Sequence, residues 1–599
     1  MKRVYVLSLA SRKKQTTAEL GELGAMHVSV RPAESDRLAE LRSRREQILR
    51  ARRLLPDVGK DRTLKNDKDA GELVDRILAL SEESRELNER FHRLEAEAEQ
   101  VAPWQDVAPE DIEAIERSGF RVALYELDRD ESAGFSAPGR HFTVFTSRSS
   151  EHVLVIAGKD EALPEGEHAK PSRSLSDIEA EMGETRERLQ AVQQELDRYA
   201  VYYPVLDAAV EPIDREIEFE SVRSGVEEEG ELLWFSGWIP EPSVSTLRSH
   251  AREHGWGLLI RDPAEDEEPP VLVERRGIAK LITPVFTFMD STPGYRERDI
   301  SVPFLLFLIV FIGMIISDAG YGLVLLLVAL FFSQRRRAKG KPVGLELLLL
   351  IVASGATIIY GAMSGVWFGY PAIAELPFFA QFVVPGIDAF APGSIDAVIT
   401  ICFVIAFAHL ELARVWNLVS ALKSPHKLKA VAELGWMAVL VGMFNLALTL
   451  VVSAEQYPFL PVSLYLILGG LVSVVVFANQ EGNFFRGVLD GLKFTSLIPT
   501  ALDGVNAFAD TMSYLRLFAV GLASVEIGAA TNDLAAIAME GPGLPLALFI
   551  ILFGHSLNLV MALLGVLVHG IRLNMLEFAG ALGMEWSGSA YKPFRYNNS

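Results

Sequence analysis

Cysteine is almost absent: Cys402 is the one thiol in 599 residues. A single thiol makes neither an intrachain disulfide nor a cysteine metal cluster, so no disulfide framework is expected. The chain also lacks a Gly-rich phosphate loop, a metal-spaced His/Cys cluster and a locally supported Ser/His/Asp arrangement. Nucleotide chemistry, zinc chemistry and triad catalysis are set aside, and no cofactor or metal is expected. The N-terminus, MKRVYVLSLASRKKQ, lacks the uninterrupted apolar run of a secretory signal, so the first half is expected in the cytoplasm.

Charge is missing from one half only. The chain has 57 Lys+Arg and 78 Asp+Glu, net −21. After Ile300 there are 15 and 17 of these, which leaves 42 and 61 before it. The first half therefore reads as soluble and acidic and the second as a membrane domain. Its acidity repels phosphate and argues against nucleic acid as a partner.

In the soluble half, Val4–Leu9 is strand-like, Thr17–Leu23 helical and Met26–Arg31 alternating, which suggests a small β-α-β start. Leu73, Ile77, Leu80, Ser84, Leu87, Phe91 and Leu94 form a heptad seam. A second seam runs through Leu175, Ile178, Met182, Thr185, Leu189, Val192, Leu196 and Tyr199. Two such seams around a globular insert suggest an antiparallel coiled-coil hairpin. The insert has strand-like runs at Arg121–Leu127, His141–Ser147 and His152–Ala157, and 214–262 forms another mixed region. The half reads as a structural strut, not a catalytic body.

In the second half, apolar segments fall near 302–334, 345–370, 394–422, 430–454, 460–479, 500–540 and 544–583. A span needs about 20 residues. The first segment is broken at Ser317-Asp318-Ala319-Gly320-Tyr321-Gly322, so it reads as two helices and the total as eight. Lys and Arg crowd alternate loops: Arg335 to Lys341, Lys423 to Lys429, Arg486 and Lys493, and Lys592 and Arg595. The loops near 371–393, 455–459 and 541–543 have none. This is the positive-inside pattern, with both termini cytoplasmic. The last two segments are too long to stand upright and must tilt, kink or extend into water.

These two segments carry the candidate site. Arg516 lies inside an apolar run, where a charge costs roughly 2.5–3.5 kcal/mol on insertion scales. Arginine cannot escape that cost by deprotonating. Asp503, Asn506, Asp510, Ser513 and Arg516 form one stripe at steps of 3, 4, 3 and 3. Glu526 and Asp533 lie beyond it. The eighth segment holds His555, Asn558, His569, Arg572, Asn574 and Glu577. Arg572 reads equally as a path residue or as half of a buried ion pair. His555 and His569 read as interhelical hydrogen bonders or path residues. No acid on Arg516's own helix turn neutralises it, so its partner is expected on another chain. One use of such a charge is a half-channel working against a rotating carboxylate. The other is a secondary transporter binding an anion at Arg516, although the internal repeats common in transporters are not found.

Several stretches, in order, resemble the a subunit of V-type ATPases, called subunit I in the archaeal and bacterial A/V-type enzymes. They are DISVPFLLFLIVFIGMIISDAGYG at 299–322, IYGAMSGVWFG at 359–369, HLEL at 409–412, LGWM at 434–437, SYLRLFA at 513–519, GHSLN at 554–558 and VHGIRLNMLEF at 568–578, with GWIP at 237–240 in the soluble half. The resemblance implies a non-catalytic membrane stator of a rotary ATPase, with Arg516 facing a proteolipid c/K ring and Arg572 as the second arginine. It implies as further partners the E/G-type peripheral stalk subunits, a central-stalk-associated subunit and membrane lipid. The expected fold is an α-helical membrane domain of eight helices, two long and tilted, at 299–599. It follows a cytoplasmic α+β stator arm with a coiled-coil hairpin at 1–298. Ser524 stands where the eukaryotic branch has a histidine, and Ala562 where it has an acid. The outer half-channel is therefore expected to use Glu526 or His555. A prokaryotic cell membrane is the expected location.

Overall fold

The computed structural model describes the chain except residues 56–67, 105–107, 133, 148, 481, 541–542 and 597–599. The loop expected near 541–543 therefore lies largely outside the described residues. The chain divides into two compact units. One is Lys2–Arg261 with the tail that begins at Pro593, and the other is Asp262–Lys592 with Met1.

The first unit is built on β1 (Lys2–Leu9), α1 (Lys13–Leu23), β2 (His27–Val28), α2 (Asp36–Leu54) and α3 (Ala70–Val101). Next come β3 (Phe120–Asp128), β4 (Arg140–Thr146), β5 (Ser150–Gly158), α4 (Leu175–Tyr199) and α5 (Tyr203–Ser224). It closes with β6 (Glu227–Glu229), β7 (Leu232–Ile239), α6 (Val244–His254) and β8 (Gly257–Arg261). The main sheet has the order β2-β7-β1-β8, all antiparallel, with Lys2 opposite Ile239. The expected β-α-β start is present, with β1, α1 and β2 in succession and β7 lying between the two strands in the sheet. β2 is only two residues long and pairs with β7, so β1 takes its neighbours from the region 214–262. Val4, Val6, Leu233 and Phe235 alternate inward into its core, which Leu247 of α6 joins. The insert strands form a second antiparallel sheet, β3-β5-β4.

The tail returns to this unit. Phe594 is 2 % exposed in the same core as Val4 and Phe235. Its N–H donates to Met26 O at 2.9 Å, and the Tyr596 N–H to Gly21 O at 3.0 Å. The Tyr596 ring packs on Phe219 with centroids 4.2 Å apart. Gly21 makes this possible, because a Cβ there would lie 2.5 Å from the Tyr596 Cβ.

The two seam helices, α3 and α4, pack antiparallel. Arg76 meets Glu195 at 2.8 Å, Glu83 meets Arg188 at 2.5 Å and Arg90 meets Glu181 at 2.5 Å, so partner numbers fall along α4 as they rise along α3. Leu73, Ile77 and Leu80 are buried with Val192 and Leu196 between them. Asp69 caps α3 through the Gly71 N–H at 2.7 Å, and Ser174 caps α4 through the Asp177 N–H at 3.2 Å. Arg90 and Arg173 hold the Glu181 carboxyl below the usual range by hydrogen bonds to its charged form.

In the second unit the apolar segments form α7 (Ser301–Ile316), α8 (Ala319–Ala338), α9 (Leu345–Met363), α10 (Ser394–Lys423), α11 (Lys429–Ala447) and α12 (Pro461–Phe477). They continue as α13 (Phe494–Ser513), α14 (Leu515–Glu540) and α15 (Leu544–Gly565), which runs on through wide turns to Ala581. Among the described residues five helices are long and apolar enough to cross a membrane: 345–363, 394–423, 429–452, 494–540 and 544–581. Between α7 and α8 the chain turns at Ser317, φ 56°, and Asp318 caps α8 through Gly320 and Tyr321. Gly361 lets α9 cross this turn, since a Cβ there would lie 2.1 Å from Ala319 N.

Candidate functional site: the arginine at a helix break

The long seventh segment, 494–540, is interrupted in its regular α-helical bonding. It breaks at Tyr514, between α13 and α14, two residues before Arg516. No glycine or proline stands at the break. Tyr514 is fully buried, and its hydroxyl lies 2.7 Å from His409 Nδ1 on α10. The eighth segment is also distorted: π-helical turns at Val566–Gly570 and Leu573–Phe578 stand on either side of Arg572. Such wide turns push side chains out of the regular helical register and recur at functional sites.

Across these distortions Arg516 Nη2 donates to Glu577 Oε1 at 3.1 Å. The expectation that Arg516 finds no acid on its own chain is corrected. Its partner lies 61 residues away on the eighth segment, where a turn-by-turn reading does not reach. The pair is asymmetric: the Glu577 side chain is 5 % exposed and that of Arg516 28 %. It is also incomplete, because Arg516 Nη1 and Glu577 Oε2 are shielded from solvent yet have no hydrogen-bond partner. A half-satisfied buried ion pair is expensive unless another charged group completes it.

The stripe leads away along α13. Asp510 is half-buried, Asp503 and Asn506 are exposed, and Ser513 turns its hydroxyl back to Asp510 O at 2.6 Å. Arg572 is exposed and has no carboxylate partner among the described residues, so the ion-pair reading of it finds no support. His569 is half-buried, and Glu526 and Asp533 are exposed. Asn574 donates to Gly570 O at 3.4 Å within its own helix.

On the other side of Arg516 along α14, neutral groups converge. His555 Nδ1 lies 2.7 Å from Tyr321 Oη, and His555 Nε2 lies 3.1 Å from Asn532 Oδ1. Asn558 Nδ2 donates to Tyr321 Oη at 3.0 Å and to Ser524 O at 2.7 Å. Asp318 is buried beside them and accepts from the backbone N–H groups of Gly320, Tyr321, Phe368 and Gly369.

No family model matches the chain. Curated relatives do. The V-type ATP synthase subunit I of Borreliella burgdorferi is 32 % identical over 606 residues, covering 99 % of each chain. The chain belongs to the subunit I family of V-type ATP synthases. The V-type ATP synthase subunit I 1 of Treponema pallidum is also 32 % identical, over 633 residues and 99 % of each chain. The A-type ATP synthase subunit I of Methanocaldococcus jannaschii is 23 % identical over 468 residues, 73 % of this chain and 65 % of that one. A solved cytoplasmic N-terminal domain of subunit I superimposes with a TM-score of only 0.21 at 15 % identity, over 43 % of this chain and all of that one. Membership makes the chain a membrane subunit of a V/A-type ATPase and not its catalytic subunit.

Two features of this subunit I escaped the sequence reading. Arg414 sits in an apolar helix as Arg516 does. It lies 3.7 Å from Glu433 on α11 and 4.9 Å from the Trp436 ring centroid. Glu411, one turn earlier on α10, has both carboxylate oxygens shielded and unbonded. A charge within a hydrophobic run was the available signal. Second, the metal-spaced cluster set aside above exists as a weak candidate: the ligand atoms of His250, Glu253 and His254 lie within 4.8 Å of one another on α6. The His-x-x-Glu-His spacing was the signal. His254 is already engaged by Glu19 at 3.0 Å.

Proposed function

We propose that this chain is the membrane stator of a rotary V/A-type ATPase, with Arg516 as the fixed cation that a proteolipid ring passes. The observation that carries the reading is the incomplete ion pair. Arg516 is held from behind by Glu577 and keeps Nη1 unpaired and its side chain partly exposed. A ring carboxylate arriving at that nitrogen would complete the pair. A fixed cation favours the ionised form of a neighbouring carboxylate, so the ring site gives up its ion there. The same charge bars direct leakage between the two half-paths. Each charge carried across the membrane is worth about 2.3 kcal/mol per 100 mV.

In this reading Asp503, Asp510 and Ser513 line the cytoplasmic approach, and Arg572, His569 and Glu577 flank the arginine. His555, Asn558 and Glu526 are the candidates for the outer side. Eight helices cross the bilayer, with 299–599 as the ion-translocation domain. The packing of Phe594 into the core built on β1 supports a single side for both termini. The basic loops favour the cytoplasm. Residues 1–298 form the stator arm, and its helix pair is a coiled-coil hairpin that joins peripheral stalk subunits of the E/G type and a central-stalk-associated subunit.

The test is ATP-driven ion uptake by the reconstituted holoenzyme. Arg516→Ala and Arg516→Lys assemble and lose coupled transport. Lysine fails because a point charge cannot hold Glu577 and a second carboxylate with a planar fork. Normal uptake by assembled Arg516→Ala enzyme ends the proposal.

A further inference from the structure

The polar cluster of Tyr321, Asn532, His555 and Asn558 joins α8, α14 and α15, and its hydrogens can be assigned from the carbonyls it touches. Asn558 Nδ2 faces Ser524 O, and Asn532 Nδ2 donates to Phe368 O at 2.8 Å. Reversing either amide would set oxygen against a carbonyl oxygen, so both orientations are fixed. Asn532 therefore presents Oδ1 to His555 Nε2, which must carry a hydrogen. Asn558 presents N–H to Tyr321 Oη. In the neutral ring Nδ1 is then bare, and the Tyr321 hydroxyl donates to it. The chain of bonds has one polarity, and it leaves one basic site, the Nδ1 lone pair.

From this geometry we propose that the outer leg of the ion path in this chain is a proton path whose accepting group is His555, poised by Tyr321, Asn532 and Asn558. The proposal rests on the stator reading above. A proton from the outer side bonds to Nδ1 as the Tyr321 hydroxyl turns away and Oη becomes the acceptor. One N–H bond then breaks, the proton goes on to a ring carboxylate, and the imidazole returns to neutral. Nothing is oxidised or reduced. Histidine is suited to this because its unperturbed titration lies within the physiological range.

The charged and titratable groups facing His555 are few. Among the described residues Tyr321 reaches it from α8 and the neutral Asn532 from α14. Asp318, at the start of α8, has its oxygens occupied by four backbone N–H groups. This occupation argues against a hard-cation site at this cluster. A hard cation needs several free oxygen ligands. Here the carboxylate is bound by amides, and the Asn532 oxygen takes the imidazole N–H. Burial fits a relay as well: Tyr321 and Asn558 are closed off, and His555 is half-buried and reachable. Glu526, the alternative acceptor, is exposed and makes no polar contact among the described residues.

The holoenzyme in liposomes tests this by ATP-driven dye quenching and by 22Na⁺ uptake. Wild type acidifies the lumen and takes up no sodium. His555→Gln keeps a side chain able to bond Asn532 and Tyr321 but cannot accept a proton. It assembles, loses at least tenfold in proton uptake, and its residual rate no longer responds to outer pH between about 5 and 8. Sodium uptake by wild type overturns the ion class. Undiminished pumping by His555→Gln overturns the acceptor, and if Arg516→Ala still fails there the stator reading stands. Coupled pumping by Arg516→Ala removes both.

Discussion

Replacing Glu577 with glutamine removes one charge and little else. The amide oxygen can still accept from Arg516 Nη2, so the 3.1 Å contact survives as a neutral hydrogen bond. What disappears is the Coulomb attraction. At 3.1 Å and an effective dielectric constant near 20 it is on the order of 5 kcal/mol before desolvation. The partial exposure of Arg516 reduces that figure, and about 2 kcal/mol is a reasonable net value. On the proposed reading a ring carboxylate seated at Nη1 competes with Glu577 at Nη2 for the charge of the one guanidinium. In Glu577→Gln it does not, so the ring is held more tightly at this one angle and must pay about 2 kcal/mol more to leave. Each 1.36 kcal/mol is a factor of ten in rate, so turnover falls roughly tenfold to thirtyfold. The assay is ATP hydrolysis and ion uptake by the reconstituted complex, with assembly checked by size exclusion. Both rates fall together, because the coupling itself is intact. Turnover within twofold of wild type, in an assembled complex, would refute the competition.

Three other outcomes are expected. Gly21→Ala places a Cβ 2.5 Å from the Tyr596 Cβ and costs about 1–3 kcal/mol by overpacking, so the tail becomes open to carboxypeptidase and to hydrogen exchange. Arg414→Met leaves Glu433 and Glu411 without their cation in a shielded site, and a thermal melt in detergent falls by several degrees, more than for Glu433→Gln alone. The Glu181 carboxyl is held below its usual range by Arg90 and Arg173, so its contribution to the helix pair is complete above about pH 4.3 and fades as pH falls through the lowered value. Glu181→Gln removes this acid-side loss, read as a flatter stability curve below pH 4.

Local signals were legible. The strands of the insert, the two long helices with their inward positions and the break before Asp318 follow from periodicity and from turn residues. Arg516 stood out because a charge in an apolar run is rare and costly. What stayed hidden depends on residues distant in the chain. β1 pairs with β7 more than 220 residues later, and no pattern in either strand names its partner. The Arg516–Glu577 pair spans two segments, and the two residues were identified singly. The break at Tyr514 has no glycine or proline to announce it. It coincides with a tyrosine anchored to His409, which is a tertiary fact. Arg414 is different, because the criterion that found Arg516 applied equally to it. Its counter-ion Glu433 sits on the next helix and Trp436 covers it, and neither contact is written in the local sequence.

The tail that ends in the core around β1 sets a timetable for biogenesis. Met26 and Phe594 are joined by a backbone hydrogen bond across about 570 residues of chain. At 5–20 residues per second a ribosome needs roughly half a minute to two minutes to make that stretch. Throughout that interval the apolar seat beside Met26, Gly21 and Phe219 stays open, while every membrane helix is being inserted. The lobe closes only after the last helix has emerged, so a chain truncated inside the membrane part keeps an uncovered hydrophobic patch. Such a patch is the kind of surface that chaperones and proteases act on.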